Sequence, residues 1–225
     1  TGHVTTVRLN RPQVLNAIDA AMHEELEQAF NAFAADPDQY ICVVTGEGRG
    51  FCAGSDLKAA VADGRHRPYP AHGYAGLIER FDCPKPFIAA VNGLALGGGF
   101  EVALACDIIV AVESASFGLP EPLVGAVALG GGMHRLARQI GLKQAMGMIL
   151  SARRVSAGEG EQMGFVTERV PDDGLDAAVA RWCDAILACS PMSIRASKES
   201  VYRGLDERGV ADAMRHQAGY PAYAA

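Results

Sequence analysis

Residues 87–101 read Phe87-Ile88-Ala89-Ala90-Val91-Asn92-Gly93-Leu94-Ala95-Leu96-Gly97-Gly98-Gly99-Phe100-Glu101, and their order sets the fold class. A strand-like apolar run ends in a glycine turn, the turn opens a helix-like stretch at 100–106, and a further apolar run follows at 107–112. Upstream the same alternation is visible. Residues 3–9 and 40–45 are short β-branched runs, and residues 20–34 between them put Met22, Leu26, Ala29, Phe30 and Phe33 on one helical stripe. Asp19 is the expected N-cap of that helix and Asp36-Pro37-Asp38 its stop. Strands alternating with helices predict an α/β fold: a mainly parallel sheet with covering helices.

From about Met133 the texture turns helical, broken by a strand-like piece at 164–170, after which Asp173 is the expected cap of an amphipathic stretch ending at Leu187. This divides the chain into a core over 1–170 and a C-terminal helical region over 171–225, with both ends expected to be cut. Residues 63–73 hold Gly64, Pro68 and Pro70 beside Arg65, His66 and Arg67, and read as an exposed, mobile loop.

The 225 residues, 49% hydrophobic and with a net charge of -6, suffice for a sizeable core and make nucleic acid or an anionic membrane a poor partner. No stretch approaches a membrane span and no signal pattern opens the chain, so a cytoplasmic location is expected. Cys42, Cys52, Cys83, Cys106, Cys183 and Cys189 show no CxxC or zinc spacing and read as small, reduced core residues. No HExxH is present either, and no metal is expected.

Three places carry candidate chemistry. Residues 46–56 run from Gly46-Glu47-Gly48-Arg49-Gly50 through Phe51-Cys52-Ala53-Gly54-Ser55-Asp56 into a helix; the spacing fits neither the dinucleotide nor the P-loop fingerprint, and a plain turn is the simpler alternative. Gly97-Gly98-Gly99 lets backbone approach a ligand closely, with helix-start N–H groups facing any anion, and this is where an oxyanion would be held. Glu101 could merely offset the helix dipole, yet it heads an almost wholly apolar helix, where a carboxylate is costly to hide. Glu121, in Phe117-Gly118-Leu119-Pro120-Glu121, follows the strand ending near Val112 and so falls at the same parallel-sheet edge. Two carboxylates at one edge can divide acid and base roles. No Gly-x-Ser-x-Gly elbow occurs, and Ser55 reads as a turn or cap residue.

Taken together, Leu9-Asn10-Arg11-Pro12 with Leu15-Asn16-Ala17, Phe51-Cys52-Ala53-Gly54-Ser55-Asp56-Leu57, Asn92-Gly93 through Glu101, and Phe117 to Glu121 resemble the crotonase superfamily. The likeness runs to about Val170 and more loosely to Lys198-Glu199; Phe100 and Asp56-Leu57-Lys58 look nearer its carnitinyl-CoA dehydratase branch. The resemblance implies a spiral of ββα turns, backbone oxyanion donors at Ala53 and Gly98, and catalytic acids at Glu101 and Glu121, twenty residues apart as in two-glutamate hydratases. It implies syn addition of water to a 2-enoyl-CoA thioester or the reverse, Glu101 activating water and Glu121 delivering a proton to Cα. Coenzyme A enters as part of the substrate and no cofactor stays bound; it would run past Val14, Ala17, Ala53, Gly54, Ser55, Asp56, Leu57 and Gly98. A homotrimer or dimer of trimers is implied as well. The alternatives are a double-bond isomerase working with an acid at Glu121, and a non-catalytic CoA- or RNA-binding homologue, the latter disfavoured by the acidic balance and the lack of a lysine-rich helix. The family's proline after the second glutamate is replaced by Gly125-Ala126-Val127-Ala128-Leu129-Gly130-Gly131-Gly132, which leaves acyl preference open.

Overall fold

The computed structural model describes residues 2–64 and 68–216. Strand β1 (Val4–Leu9) leads through α1 (Ala20–Ala35) to β2 (Ile41–Gly46), β3 (Gly50–Cys52) and α2 (Leu57–Asp63). Next come β4 (Phe87–Val91), β5 (Leu94–Leu96), α3 (Gly98–Ala105), β6 (Ile108–Val112) and β7 (Ser116–Gly118). The remainder is α4 (Gly132–Ile140), α5 (Leu142–Ser151), β8 (Val155–Ser156), α6 (Ala157–Met163), β9 (Glu168–Val170), α7 (Leu175–Leu187), α8 (Pro191–Leu205) and α9 (Val210–His216).

Two sheets result. The larger, ordered β1-β2-β4-β6-β9, is parallel throughout, and the smaller, β3-β5-β7-β8, is parallel except where β8 joins β7. Each of the passes β2–β3–α2 and β4–β5–α3 places one strand in each sheet and then a helix, and β6–β7 begins a third; this is the spiral of ββα turns. Every residue of β2 and β4 is buried, which is why they read as unbroken apolar runs instead of alternating ones. The β1–α1–β2 alternation stands as expected, with the Asp19 carboxylate accepting the Met22 N–H at 2.9 Å. Phe30 and Phe33 of α1 meet Phe87 edge-on, with ring centroids 5.8 and 5.3 Å apart. Leu175, Ala178 and Cys183 of α7 join the same core. Lys198 of α8 is tied to the sheet by bonds to Lys85 O and the Asp107 carboxylate at 2.8 and 2.7 Å.

The smaller sheet escaped the sequence reading because three-residue strands are too short to show a period. Helix α3 begins at Gly98, two residues before the apolar stretch that announced it. The cap before α7 is Gly174, which makes no side-chain cap bond, rather than Asp173. Five cysteines are buried, but Cys189 is exposed beyond the last turn of α7. Of the expected loop at 63–73, Asp63 ends α2, Gly64 closes it at φ +61°, and residues 65–67 lie outside the described residues. The loop's far end is pinned: Gly73 is buried and His72 Nδ1 lies 2.6 Å from Glu27 Oε1. No helix among the described residues is long and apolar enough to cross a membrane.

Asn16 ties the start of the chain to the small sheet. Fully buried and left-handed at φ +56°, it donates through Nδ2 to Glu47 O and Gly50 O at 2.9 and 2.8 Å and accepts the Arg11 N–H at 2.8 Å. Asn16→Ala removes three hydrogen bonds, leaving Glu47 O and the Arg11 N–H short of this partner and Gly50 O with only the longer Asn92 bond, and should cost ~1–3 kcal/mol. Urea unfolding with an unchanged midpoint would show that these bonds are dispensable.

Candidate active site

Strands β3, β5 and β7 are parallel neighbours, so their C-terminal ends lie side by side, the position where α/β sheets collect ligands. From them emerge residues 53–56, Gly97-Gly98 and Leu119-Pro120-Glu121. This corrects the expected edge: the strand ending at Val112 belongs to the larger sheet, and β7 delivers Glu121.

Glu101 lies in the first turn of α3 and is 3% exposed. Its Oε1 accepts the Gly132 N–H at 2.9 Å. A Cβ on Gly130 would fall 2.4 Å from Oε2 and one on Gly132 2.9 Å from Oε1, so the carboxylate fits only against glycines. Burial pushes its pKa up to about 7; the Gly132 N–H opposes this, the Glu121 charge adds to it, and the Gly130 N–H and the Arg135 guanidinium oppose it further.

Glu121 opens a 3-10 turn, Glu121–Val124. Burial raises its pKa too, against the pull of its own N–H. Its Oε2 is buried with no hydrogen-bond partner among the described residues. An orphaned carboxylate oxygen is costly in a folded core, and this one is left free to meet a hydrogen-bond donor.

The donor pair differs from the expected one. The Ala53 N–H is already engaged, donating to Leu15 O at 2.9 Å, so it cannot serve an oxyanion. Two residues on, Ile18 N–H donates to Gly54 O at 2.8 Å and Asp56 N–H to Ile18 O at 2.9 Å, which leaves the Ser55 N–H between them without a backbone partner. Gly98, the first residue of α3, keeps an N–H with no intrahelical acceptor. The two are brought together by Gly54, held at φ +90°, where a Cβ would stand 2.9 Å from Leu96 O and 3.2 Å from Gly98 N. Ser55 and Gly98, not Ala53 and Gly98, are the available pair.

Tyr74 closes this region. A Cβ on Gly98 would land 2.3 Å from Tyr74 Cζ, and Ser55 Oγ donates to the Tyr74 hydroxyl at 3.3 Å. Tyr69 packs edge-on to Tyr74 at 5.5 Å between centroids, His23 edge-on to Tyr74 at 4.6 Å, and the Ala75 N–H donates to His23 Nδ1. Burial, followed by the Glu101 charge, raises the Tyr69 phenol.

The remaining candidates fall along one strip. The segment holding Val14 and Ala17 runs beside residues 53–56 through the Leu15, Ile18 and Gly54 bonds, with Val14 partly exposed and Ala17 buried. Leu57 is exposed at the start of α2. Asp56 is occupied elsewhere, its Oδ1 accepting the Ala59 N–H at 3.0 Å and its Oδ2 meeting Arg11 at 3.0 Å, and the Ala59 bond leads in holding its pKa down. Gly130, Gly132, Tyr69 and Tyr74 had no assigned role in the sequence reading. The glycine triplet was the one available signal.

The model of a family described as enoyl-CoA hydratase/isomerase matches residues 1–219. The chain belongs to that family. Among its relatives, the mevalonyl-coenzyme A hydratase of Aspergillus fumigatus is 40% identical, over 95% of this chain and 80% of its own length. The carnitinyl-CoA dehydratase of Proteus mirabilis is 38% identical, over 95% and 82%. Among solved structures, the Mycobacterium marinum enoyl-CoA hydratase superposes with a TM-score of 0.91 at 32% identity, covering 100% of this chain and 88% of that one. A carnitinyl-CoA dehydratase from Mycobacterium avium gives 0.85 at 39% identity, covering 96% and 88%. This crotonase is thus an enzyme of CoA thioesters, of the hydratase or dehydratase kind.

Proposed function

We propose that this crotonase adds water syn across the 2,3 double bond of a 2-enoyl-CoA thioester and removes it in reverse. The observation that carries the reading is the pairing of a glutamate pinned by backbone N–H groups with one whose buried Oε2 has no partner. Ser55 and Gly98 N–H hold the thioester oxygen as enolate charge develops, fixed dipoles that need not reorganise. Glu101 takes a proton from the water attacking Cβ while Glu121 delivers one to Cα, so hydration leaves Glu101 protonated and Glu121 ionised. With Glu101 the group drawn up to about 7, the free enzyme favours that same arrangement, the one ready for dehydration.

Both directions need one proton on the pair, and the two forms that hold it share one pH dependence. The kcat/KM profile is therefore a bell whose alkaline limb, loss of the last proton, lies at about 7. The acid limb follows the raised Glu121.

Relatives named for mevalonyl and carnitinyl thioesters, together with the Tyr69, Tyr74 and His23 cluster beside Glu101, support an acyl group with a polar far end. The test is loss of enoyl absorbance and product analysis on 2-enoyl-CoA thioesters, alkyl against hydroxyl-tipped. The hydroxylated substrate should be favoured by at least ~10-fold. No 3-hydroxyacyl product from any of them, with 3-enoyl-CoA isomerised instead, would replace the hydratase reading by the isomerase one.

A further inference from the structure

Arg135, in the first turn of α4, is a residue the reaction scheme does not use. Its N–H donates to Gly131 O at 2.8 Å, its Nη2 donates to Ile78 O at 2.7 Å, and its guanidinium lies 5.6 Å from the Phe81 ring centroid. Gly131 is left-handed at φ +85°, and a Cβ there would stand 2.4 Å from Arg135 Nη1. The guanidinium is thus folded onto the backbone of the turn whose two flanking residues, Gly130 and Gly132, enclose the Glu101 carboxylate. Facing the guanidinium are Glu101 and Cys106 from α3 and its end, Glu79 from the segment before β4, and Tyr202 from α8. Facing Glu101 are Glu121, Tyr69, Tyr74 and Arg135 itself. Arg135 brings positive charge to a group whose other charged or titratable neighbours are one acid and two phenols.

We propose that Arg135 is a positioning residue for water addition: it clamps the 130–132 turn against the Ile78 carbonyl, keeping that turn's N–H groups aimed at Glu101, and steadies the charge of the carboxylate they hold. A plain packing role would also explain its burial, so the test must read Glu101 and not only rate. The inference rests on the reading of Glu101 as the water-handling acid.

Arg135→Met removes both fork and charge, and Arg135→Lys keeps the charge alone. For Arg135→Met, kcat should fall by ~10–100-fold, the scale of a small misplacement at a reacting centre, with KM little changed. Its alkaline limb should move up as the cation is lost. Arg135→Lys should lose part of kcat and keep the limb in place. Infrared titration of the carboxyl stretch, with Glu101→Gln assigning the band, follows Glu101 without turnover and should show the same upward move in Arg135→Met. A loss of rate with the band and the limb both unmoved, or full rate in Arg135→Met, overturns the proposal. If Arg135→Met does not fold, a lysine variant with wild-type kcat overturns it equally. A wild-type protein that hydrates no enoyl-CoA defeats the functional reading instead, while the infrared titration still decides whether Arg135 holds Glu101.

Discussion

Glu101→Gln should lower kcat for hydration by ~10²–10⁴-fold, the usual worth of a positioned acid or base, and Glu121→Gln should do the same. Glutamine has nearly the shape of glutamate, so the folded protein should survive. At position 101 the change is not innocent, however. The carboxylate has one oxygen on the Gly132 N–H and the other against Gly130, and an amide can offer an acceptor to only one of them. Glu101→Gln therefore loses both the base and part of its aim. At position 121 the buried Oε2 has no partner to lose, so the defect there is purely one of proton delivery. Because the two residues share one task, the double variant should be little worse than either single one. The assay is loss of enoyl-thioester absorbance, with circular dichroism to verify folding. Near-wild-type hydration in either single variant removes the two-carboxylate mechanism.

The second large effect is expected at Gly98. A methyl group there meets the Tyr74 ring at 2.3 Å, and Tyr74 is itself buried. Relief of this clash in Gly98→Ala should displace the start of α3, and with it one of the two N–H groups available for the thioester oxygen. Losing one such donor costs ~10²–10³-fold in kcat. The cause can be separated from the loss by a second change. If the ring is what forces the displacement, Gly98→Ala/Tyr74→Ala should recover at least ~10-fold over Gly98→Ala alone, a coupling of neighbours in contact. Equal kcat values for the wild type and Gly98→Ala would mean that the Gly98 N–H holds no developing charge.

Much of the frame was open to a reader of residues alone, for reasons that differ from element to element. Helix α1 declared itself because Met22, Leu26, Phe30 and Phe33 repeat on one face and Asp19 caps it. Strands β2 and β4 declared themselves because a strand buried on both faces is continuously apolar. The smaller sheet did not, since three residues carry no period, and it is this sheet that brings the site together. Glu101 and Glu121 stood out as acids in apolar or glycine-rich surroundings. Which N–H of the first Gly-rich turn is free is not legible, because the turn contains several and the pattern of letters cannot say which is already spent; the Leu15 carbonyl takes that of Ala53. Arg135 was invisible for a similar reason. Its role depends on a contact with Gly131 and with Ile78, fifty-seven positions away in the chain.

Successive passes of the ββα spiral each contribute a different component: the Ser55 N–H from the first, Gly98 and Glu101 from the second, Glu121 from the third. Non-local parallel pairings are slow to form, because each strand must wait for a crossover to close. The constellation therefore has no partial form during folding. On the mechanism proposed above, one coil supplies a donor without an acid, two supply a single acid without its mate, and all three must stack to complete the pair. In refolding, enoyl-CoA turnover should therefore return only once all three coils are stacked, and activity appearing before the last of them is in place would overturn that dependence.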